Sequence, residues 1–326
     1  MAYEDYVEKI TIESVEDLFD HVNGRKNIPD LRNNFIFRGI KSFNYKLTPS
    51  AFRISNGAFI IDKYIQNSSN LPHILKENIV LFDFLEMADK QGFKIPIPQK
   101  FREFFHKSVK SYRDYLAPWP MYDYFEAISL AQHYGIPTCA LDWSYDYKIA
   151  LYFATIGILE EKHKDKDCVL WAFNHKNFES SRDSIKNSRN VNLWIDKNIP
   201  VVCYRPAYND NPNLNAQKGL FTFIIQKYNE YSIKPLDHLI SDELDNCVKK
   251  EISGATRFEK GSILRISLND GEKVFYKFII PCDLKAEILN DLYKEGYSEE
   301  RIFPGYASIA KSIENKVKLD EELKRK

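Results

Sequence analysis

Residues 126–155 constrain the fold more than any other stretch, because two apolar runs enclose a short polar block. The runs predict helices over 122–133 and 149–159, with a strand over 138–143 between them. An unpaired polar group inside a core costs about 1–3 kcal/mol. The block therefore either forms an internal hydrogen-bond network or lines a cleft. Its polar members are Gln132, His133, Thr138, Asp142 and Ser144.

Composition and charge narrow the class of protein. Of the 326 residues, 44% are hydrophobic and 14% aromatic, which allows a sizeable core and argues against disorder. The 46 basic and 46 acidic residues balance, so no overall field draws the chain to nucleic acid or to an anionic membrane. The five cysteines form no CxxC pair, which predicts reduced thiols, a cytoplasmic location and no metal site. No apolar run reaches about 18 residues, so we expect no membrane span.

The remaining segments alternate between short strands and helices, which predicts an α+β fold. We expect one elaborated domain over residues 1–315 and a charged, frayed C-terminal tail over 316–326. The predicted strands lie around 10–12 and over 34–37, 168–173, 201–204 and 220–225, with a strand pair over 262–266 and 274–280. The further helices begin after Ser14 and lie over 76–92, 99–116 and 283–294, with a last one after 305.

Few residues indicate chemistry on their own. The chain has no GxGxxG, P-loop, HExxH, GxSxG or kinase motif. Arg38 ends a predicted strand and precedes Gly39, so a guanidinium fork and a close backbone approach would suit an anion. The alternative is a surface arginine paired with a carboxylate. His133 and Asp142 fall where strand and helix ends converge, a common position for binding residues, although a structural histidine fits equally.

The series of motifs resembles the FRG-domain family. It comprises FRG at 37–39, YKLTPSAFR at 45–53, AQHYGIPTCALDWS at 131–144, ALYFA at 150–154, AQKGLFTF at 216–223 and IPCDLKAEIL at 280–289, in the family's order. The matches extend over residues 35–305, and family members often look like bacterial proteins of mobile or defence loci. Two positions differ from the family pattern. Cys139 replaces the arginine after the Pro-Thr pair, and Ile40 replaces the glutamine after Arg-Gly.

The family in turn resembles the NAD-using ADP-ribosyltransferases of the arginine–serine–glutamate type. That resemblance implies a mixed or antiparallel sheet core, a split β-sandwich, with flanking helices. It also implies NAD as a substrate. The resemblance is carried by residues 37–39, by 141–144 leading into 150–154, and by 216–220, where Gln217 stands in place of a catalytic glutamate.

The same resemblance implies how NAD would be bound. Arg38 and Gly39 would clamp the pyrophosphate, and Ser144 would either hold the ribose or support the strand geometry. Tyr134 and Trp143 would stack on the nicotinamide, unless they belong to the core.

It also implies the catalytic groups. Arg38 orients the donor, and Gln217 is expected to hydrogen-bond the ribose. Because Gln217 carries no charge, Asp142 becomes the carboxylate that stabilises the developing cation. His133 is the candidate base for the acceptor.

The leading expectation is an ADP-ribosyltransferase-like effector that modifies RNA or protein, as a toxin or an anti-phage defence component. An antitoxin or another regulatory protein would be its partner. A local phosphate track is expected from Arg102, Lys107, Lys110 and Arg113. Two alternatives stay open: a non-catalytic sensor or interaction module on the same fold, and a metal-independent nuclease built on His133.

Overall fold

The computed structural model describes residues 3–67, 71–97, 119–175, 201–208, 211–226, 233–252 and 272–325. Over these ranges the chain forms an α+β fold, in which helices flank a seven-stranded mixed sheet. The predicted α+β class with a mixed sheet is therefore confirmed. The predicted helix over 99–116 with its four basic residues, and the strand over 262–266, lie outside the described residues.

The strands alternate with helices along the chain, as the sequence predicts. They are β1 Val7–Thr11, β2 Phe35–Ile40, β3 Ile54–Ser55, β4 Ala58–Phe59, β5 Ala140–Ser144, β6 Cys168–Asn174, β7 Val201–Tyr204, β8 Gly219–Ile224 and β9 Phe275–Ile280. The order in the main sheet is β1-β9-β6-β2-β5-β8-β7, and β3 pairs with β4 separately. The β1–β9 pair is parallel, and the other pairs in the main sheet are antiparallel.

Six helices of the described ranges lie within a few residues of a predicted helix, and three others were not predicted. Together, in chain order, they are α1 Val15–Val22, α2 His73–Lys90, α3 Phe125–His133, α4 Tyr147–Thr155, α5 Pro212–Ala216, α6 Leu236–Ile252, α7 Lys285–Lys294, α8 Glu299–Ile302 and α9 Tyr306–Lys324. Helix α1 begins as the sequence predicts, because the side chain of Ser14 accepts a hydrogen bond from the Asp17 backbone N–H.

Helix α4 packs directly on strand β2, and Gly39 makes this contact possible. A Cβ placed on Gly39 would lie 1.8 Å from the carbonyl oxygen of Ala150 in α4. The glycine of the Phe-Arg-Gly motif thus serves helix packing. The predicted role of Gly39, close approach to a bound phosphate, stays a prediction.

The two halves of the sheet meet at a narrow joint between β2 and β5. These strands share one ladder pair, Phe37 with Ser144. By contrast, β2 pairs with β6 at every position from Phe35 to Ile40. The sheet therefore consists of four strands (β1, β9, β6 and β2) and three strands (β5, β8 and β7) that separate beyond Phe37.

Two sequence predictions about local structure are wrong. Strand β9 is paired with β1 on one edge and with β6 on the other, so it does not form the predicted pair with 262–266. The C-terminal tail is also not frayed, because α9 continues through Lys324. Leu319 is buried against the core, and Lys164 lies 2.8 Å from Glu322. Charged residues outnumber apolar ones in the tail, so its sequence did not predict that it packs on the core.

Candidate functional site

The gap between β2 and β5 holds the side chain of Arg38. Its Nη1 donates to the backbone carbonyl of Asp142 at 2.5 Å and lies 3.3 Å from the Asp142 carboxylate. The guanidinium thus occupies the place where the β2–β5 ladder stops. The Arg38 side chain is 15% exposed and that of Asp142 is 53% exposed. The pairing of Arg38 with a carboxylate is the alternative that the sequence left open, and here the carboxylate faces solvent.

One donor of this guanidinium is unused. The Nε of Arg38 is buried and has no hydrogen-bond partner among the described residues. Buried polar groups are nearly always hydrogen-bonded, so an unpaired N–H of a cation marks a position where an acceptor is missing. An anion at the gap would supply that acceptor.

Gln132 holds the Asp142 carboxylate from the opposite side. Its Nε2 donates to Asp142 Oδ2 at 3.1 Å, and its Oε1 accepts from the hydroxyls of Thr138 at 2.7 Å and Ser50 at 3.2 Å. The polar block thus forms the hydrogen-bond network that the sequence offered as one of two possibilities. It also fixes the amide of Gln132 in one orientation, which positions Asp142.

A second guanidinium, that of Arg53, lies beside the first. Its Nε donates to the carbonyl of Thr48 at 2.9 Å. Burial by the surrounding atoms and the charge of Arg38 lower the pKa of Arg53 to about 10, and Asp142 opposes this shift. Arg53 nevertheless keeps an exposed surface and stays charged at neutral pH. Two cations next to one carboxylate leave the gap net positive, which suits an anionic ligand.

His133 ends α3 near this cluster but is engaged elsewhere. Its Nε2 lies 3.0 Å from Asn213 Nδ2, which can only donate, so Nε2 is the accepting nitrogen. Burial lowers the pKa of His133, against the charge of Asp142. The ring is therefore neutral at neutral pH, with its basic lone pair occupied by Asn213. This geometry does not support the predicted role of His133 as a base.

Ser144 is a structural hydroxyl. Its Oγ donates to the carbonyl of Gln217 at 2.7 Å and accepts from the backbone N–H of Asp146 at 2.9 Å. Asp146 in turn caps α4. Both capacities of the buried hydroxyl are used to join β5, α4 and the turn before β8. Of the two roles predicted for Ser144, these contacts match support of the strand geometry, and its contact with a ribose stays a prediction.

Gln217 points away from Arg38. It follows α5, and its Nε2 donates to the carbonyl of Ile302 at 3.3 Å. The side chain thus reaches α8. The predicted ribose contact of Gln217 is not supported, although its backbone carbonyl does meet Ser144.

The two predicted stacking aromatics do not line the gap. Trp143 is buried, and its Nε1 donates to Thr222 Oγ1 at 3.0 Å, so it belongs to the core. Tyr134 is exposed, but it lines a separate cavity of about 1030 Å³ between α2, α3 and the segment before α5. Arg38 and Asp142 do not contribute to that cavity. The positions of these two rings do not support the predicted nicotinamide stack, which stays a prediction.

Sequence reasoning left out three members of the cluster as site residues. Ser50 and Arg53 belong to the YKLTPSAFR motif, and Gln132 belongs to AQHYG. Their signal was available, because both motifs place polar side chains next to buried runs. What the sequence did not reveal is that the two motifs meet at Asp142.

Two further observations concern only the described residues. They contain no group of three or more histidine, cysteine, aspartate or glutamate side chains placed to hold a metal ion. Among their helices, none combines the length and the apolar character needed to cross a bilayer.

The fold and the site define an α+β protein with a basic cluster at the joint of its central sheet. Residues 33–167 match the family model of the FRG domain, the family that the motifs predict. The matched range contains Arg38, Arg53, Gln132 and Asp142 and ends before Gln217. Neither a curated protein nor a solved structure matches the chain.

Proposed function

We propose that this protein is an ADP-ribosyltransferase-like effector, with NAD as donor and a macromolecule as acceptor. The observation that carries the proposal is the unused Nε of Arg38, in a cluster of two guanidinium groups beside an exposed carboxylate. The pyrophosphate of NAD offers the acceptor oxygens that Arg38 and Arg53 suit. Asp142 is the carboxylate next to them.

The proposed reaction uses the groups at the gap. The bond between the nicotinamide nitrogen and ribose C1′ breaks, and nicotinamide leaves as a neutral molecule with the bonding electron pair. A nucleophilic oxygen or nitrogen of the acceptor forms the new bond to C1′, and its proton passes to Asp142. The same carboxylate stabilises the positive charge that builds on the ribose. Gln132 and Arg38 orient it through Oδ2.

The sheet supports the same proposal. The resemblance to the transferases implies a split β-sandwich, and β2 and β5 share only the Phe37–Ser144 pair. Arg38 is the next residue after Phe37, at the point where β2 and β5 separate. A split at this point brings the first-strand arginine and the strand that bears Asp142 to one gap.

The proposal rests on fewer site residues than the sequence predicted. Ser144 and Gln217 are engaged in structural contacts, and Trp143 belongs to the core. A second candidate function follows from these contacts: a non-catalytic module that binds a nucleotide or another phosphate ligand at Arg38 and Arg53. The contact of the Gln217 side chain with the Ile302 carbonyl favours it, because Gln217 stands where the transferases have a catalytic glutamate. The nuclease alternative depended on His133 and gains no support.

Incubation with labelled NAD and cell extract tests the first candidate. We expect label in the macromolecular fraction, loss of label with Arg38→Ala, and no change with Arg25→Ala, an exposed arginine paired with Asp20. A wild-type protein that binds NAD but never transfers label would favour the module. An Arg38→Ala protein with full transfer would remove the site assignment.

The biological setting is part of the proposal. The motifs are typical of mobile and defence loci, so the effector would act as a toxin or in anti-phage defence. An antitoxin or another regulatory protein would then hold it inactive.

A further inference from the structure

Four adjacent strands bring three cations and a tryptophan into one line across the sheet. Lys9 on β1 pairs with Lys277 on β9, Lys277 pairs with Trp171 on β6, and Trp171 pairs with Arg38 on β2. Residues paired in register project to the same side of a sheet. We name Lys9, Lys277 and Arg38 the cation row.

The three cations of the row are accessible, whereas Trp171 between Lys277 and Arg38 is buried, and the row ends at the proposed site. Neighbouring strands lie about 4.8 Å apart, so the backbone distance from Lys9 to Arg38 is about 14 Å. Lys9 is exposed, while Lys277 and Arg38 are partly exposed. A chain molecule bound along the row would therefore be led to the gap between β2 and β5.

Aromatic rings accompany the cations. The Nζ of Lys277 lies 4.2 Å from the centroid of the Phe43 ring and 5.2 Å from that of Trp171. Phe43 and nearby Tyr45 are each 43% exposed. Large exposed rings beside cations offer stacking surfaces next to phosphate contacts.

We propose that the cation row, with Phe43 and Tyr45, binds single-stranded RNA. Its phosphates would contact the three cations, and its unpaired bases would stack on the two rings. Base-paired RNA cannot present its bases to the rings, so the surface selects single strands. The chain has no net charge, and a local row of this kind is what RNA binding then requires.

This inference deepens the proposed function, on which it rests for one point only. If the protein transfers ADP-ribose, the surface assigns RNA as the acceptor class. Binding itself needs neither NAD nor catalysis. The two proposals can therefore fail separately.

Fluorescence anisotropy with a short labelled single-stranded RNA tests the binding surface. We expect the double variant Phe43→Ala/Lys277→Gln to bind at least about tenfold more weakly, because it loses a stacking ring and a phosphate contact together. Its salt dependence should also be shallower than that of the wild type. The matched control, Tyr306→Ala/Lys311→Gln, changes an exposed ring and an exposed lysine on α9 and should bind like the wild type.

Three results would overturn the inference. They are no binding of single-stranded RNA by the intact protein, equal binding by the Phe43/Lys277 variant, or equal affinity for a duplex of the same sequence. A thermal melt confirms that the variant is folded. Labelled NAD then separates the two proposals. RNA binding without any transfer of label supports the RNA-binding surface and contradicts the proposed transferase activity. Label on protein alone supports the transferase activity and contradicts RNA as the acceptor.

Discussion

Arg38 and Asp142 stand 104 positions apart in the chain, yet Arg38 Nη1 lies 2.5 Å from the Asp142 backbone carbonyl. The shorter contact is to the backbone, and the carboxylate lies 3.3 Å away. The position of the guanidinium therefore depends on strand β5 itself and only secondarily on the Asp142 side chain. This separation of roles allows the carboxylate to be changed without moving the arginine.

The first prediction follows directly. Asp142→Asn keeps the carbonyl contact and the amide can still meet Gln132, so we expect stability to change by less than about 1 kcal/mol. Transfer from NAD should fall by about 100-fold or more, since the charge that stabilises the ribose cation is lost. Titration calorimetry should find NAD binding largely retained. Full transfer by Asp142→Asn would contradict the catalytic assignment.

Ser144 gives the second prediction, which separates structure from catalysis. Ser144→Ala removes the bonds to the Gln217 carbonyl and the Asp146 N–H, so we expect a loss of about 1–3 kcal/mol of unfolding free energy. Transfer per folded molecule should stay the same, measured well below the melting temperature. A large loss of transfer in a fully folded variant would indicate that Ser144 contacts the ribose.

The third prediction concerns the glycine of the Phe-Arg-Gly motif. Gly39→Ala should lose more than about 3 kcal/mol, because its methyl group would overlap the Ala150 carbonyl and force α4 off β2. Gly57→Ala is the control. It has open space around it and a positive φ, so about 1 kcal/mol of backbone strain is expected. Similar losses in urea denaturation would speak against the packing role.

Stability should depend on pH through Glu77, the fourth prediction. This buried carboxylate accepts hydrogen bonds from Gln226 at 2.6 Å and from Trp119 at 3.2 Å. Burial raises the pKa of Glu77 to about 7, so folding favours its protonated form. Its stabilising contribution is full below the unfolded pKa and is lost as the pH rises through 7, by at most about 3 kcal/mol.

Neighbouring His73 acts in the opposite sense. Burial lowers the pKa of His73 to about 4, so its contribution is lost as the pH falls from 6.5 toward 4. Comparing wild type with Glu77→Gln cancels this second effect. The stability difference between the two proteins should shift in favour of the glutamine variant between about pH 5 and pH 8. A difference that stays flat over this range would exclude the titration of Glu77.

The last prediction tests the docking of the C-terminal helix. Leu319→Ala should cost about 2–4 kcal/mol, because it opens a cavity between α9 and the core. Val317→Ala, two positions earlier and 57% exposed, should cost less than about 0.5 kcal/mol. Equal effects in chemical denaturation would mean that the tail contributes no packing.

The sequence predicted elements better than it predicted where side chains point. The periodicity of hydrophobic residues and the capping residues predicted the positions of β2, α3 and α1, because these signals depend only on residues close together in the chain. Alternation along β5 places Asp142 and Trp143 on opposite faces, and Trp143 is buried in the core. The direction of Gln217 depends on α8, some 85 positions away, and the insertion of β9 between β1 and β6 depends on pairing between distant segments. Local patterns carry no such information.

The single Phe37–Ser144 pair has a mechanical consequence. Few backbone bonds join the two parts of the sheet at that point, so their connection depends mainly on the apolar cluster that they share, to which Ile36 and Trp143 belong. A ligand that contacts both Arg38 and β5 would hold the two parts of the sheet together. Its arrival should then be visible as slower amide exchange along β5, even at a distance from the ligand.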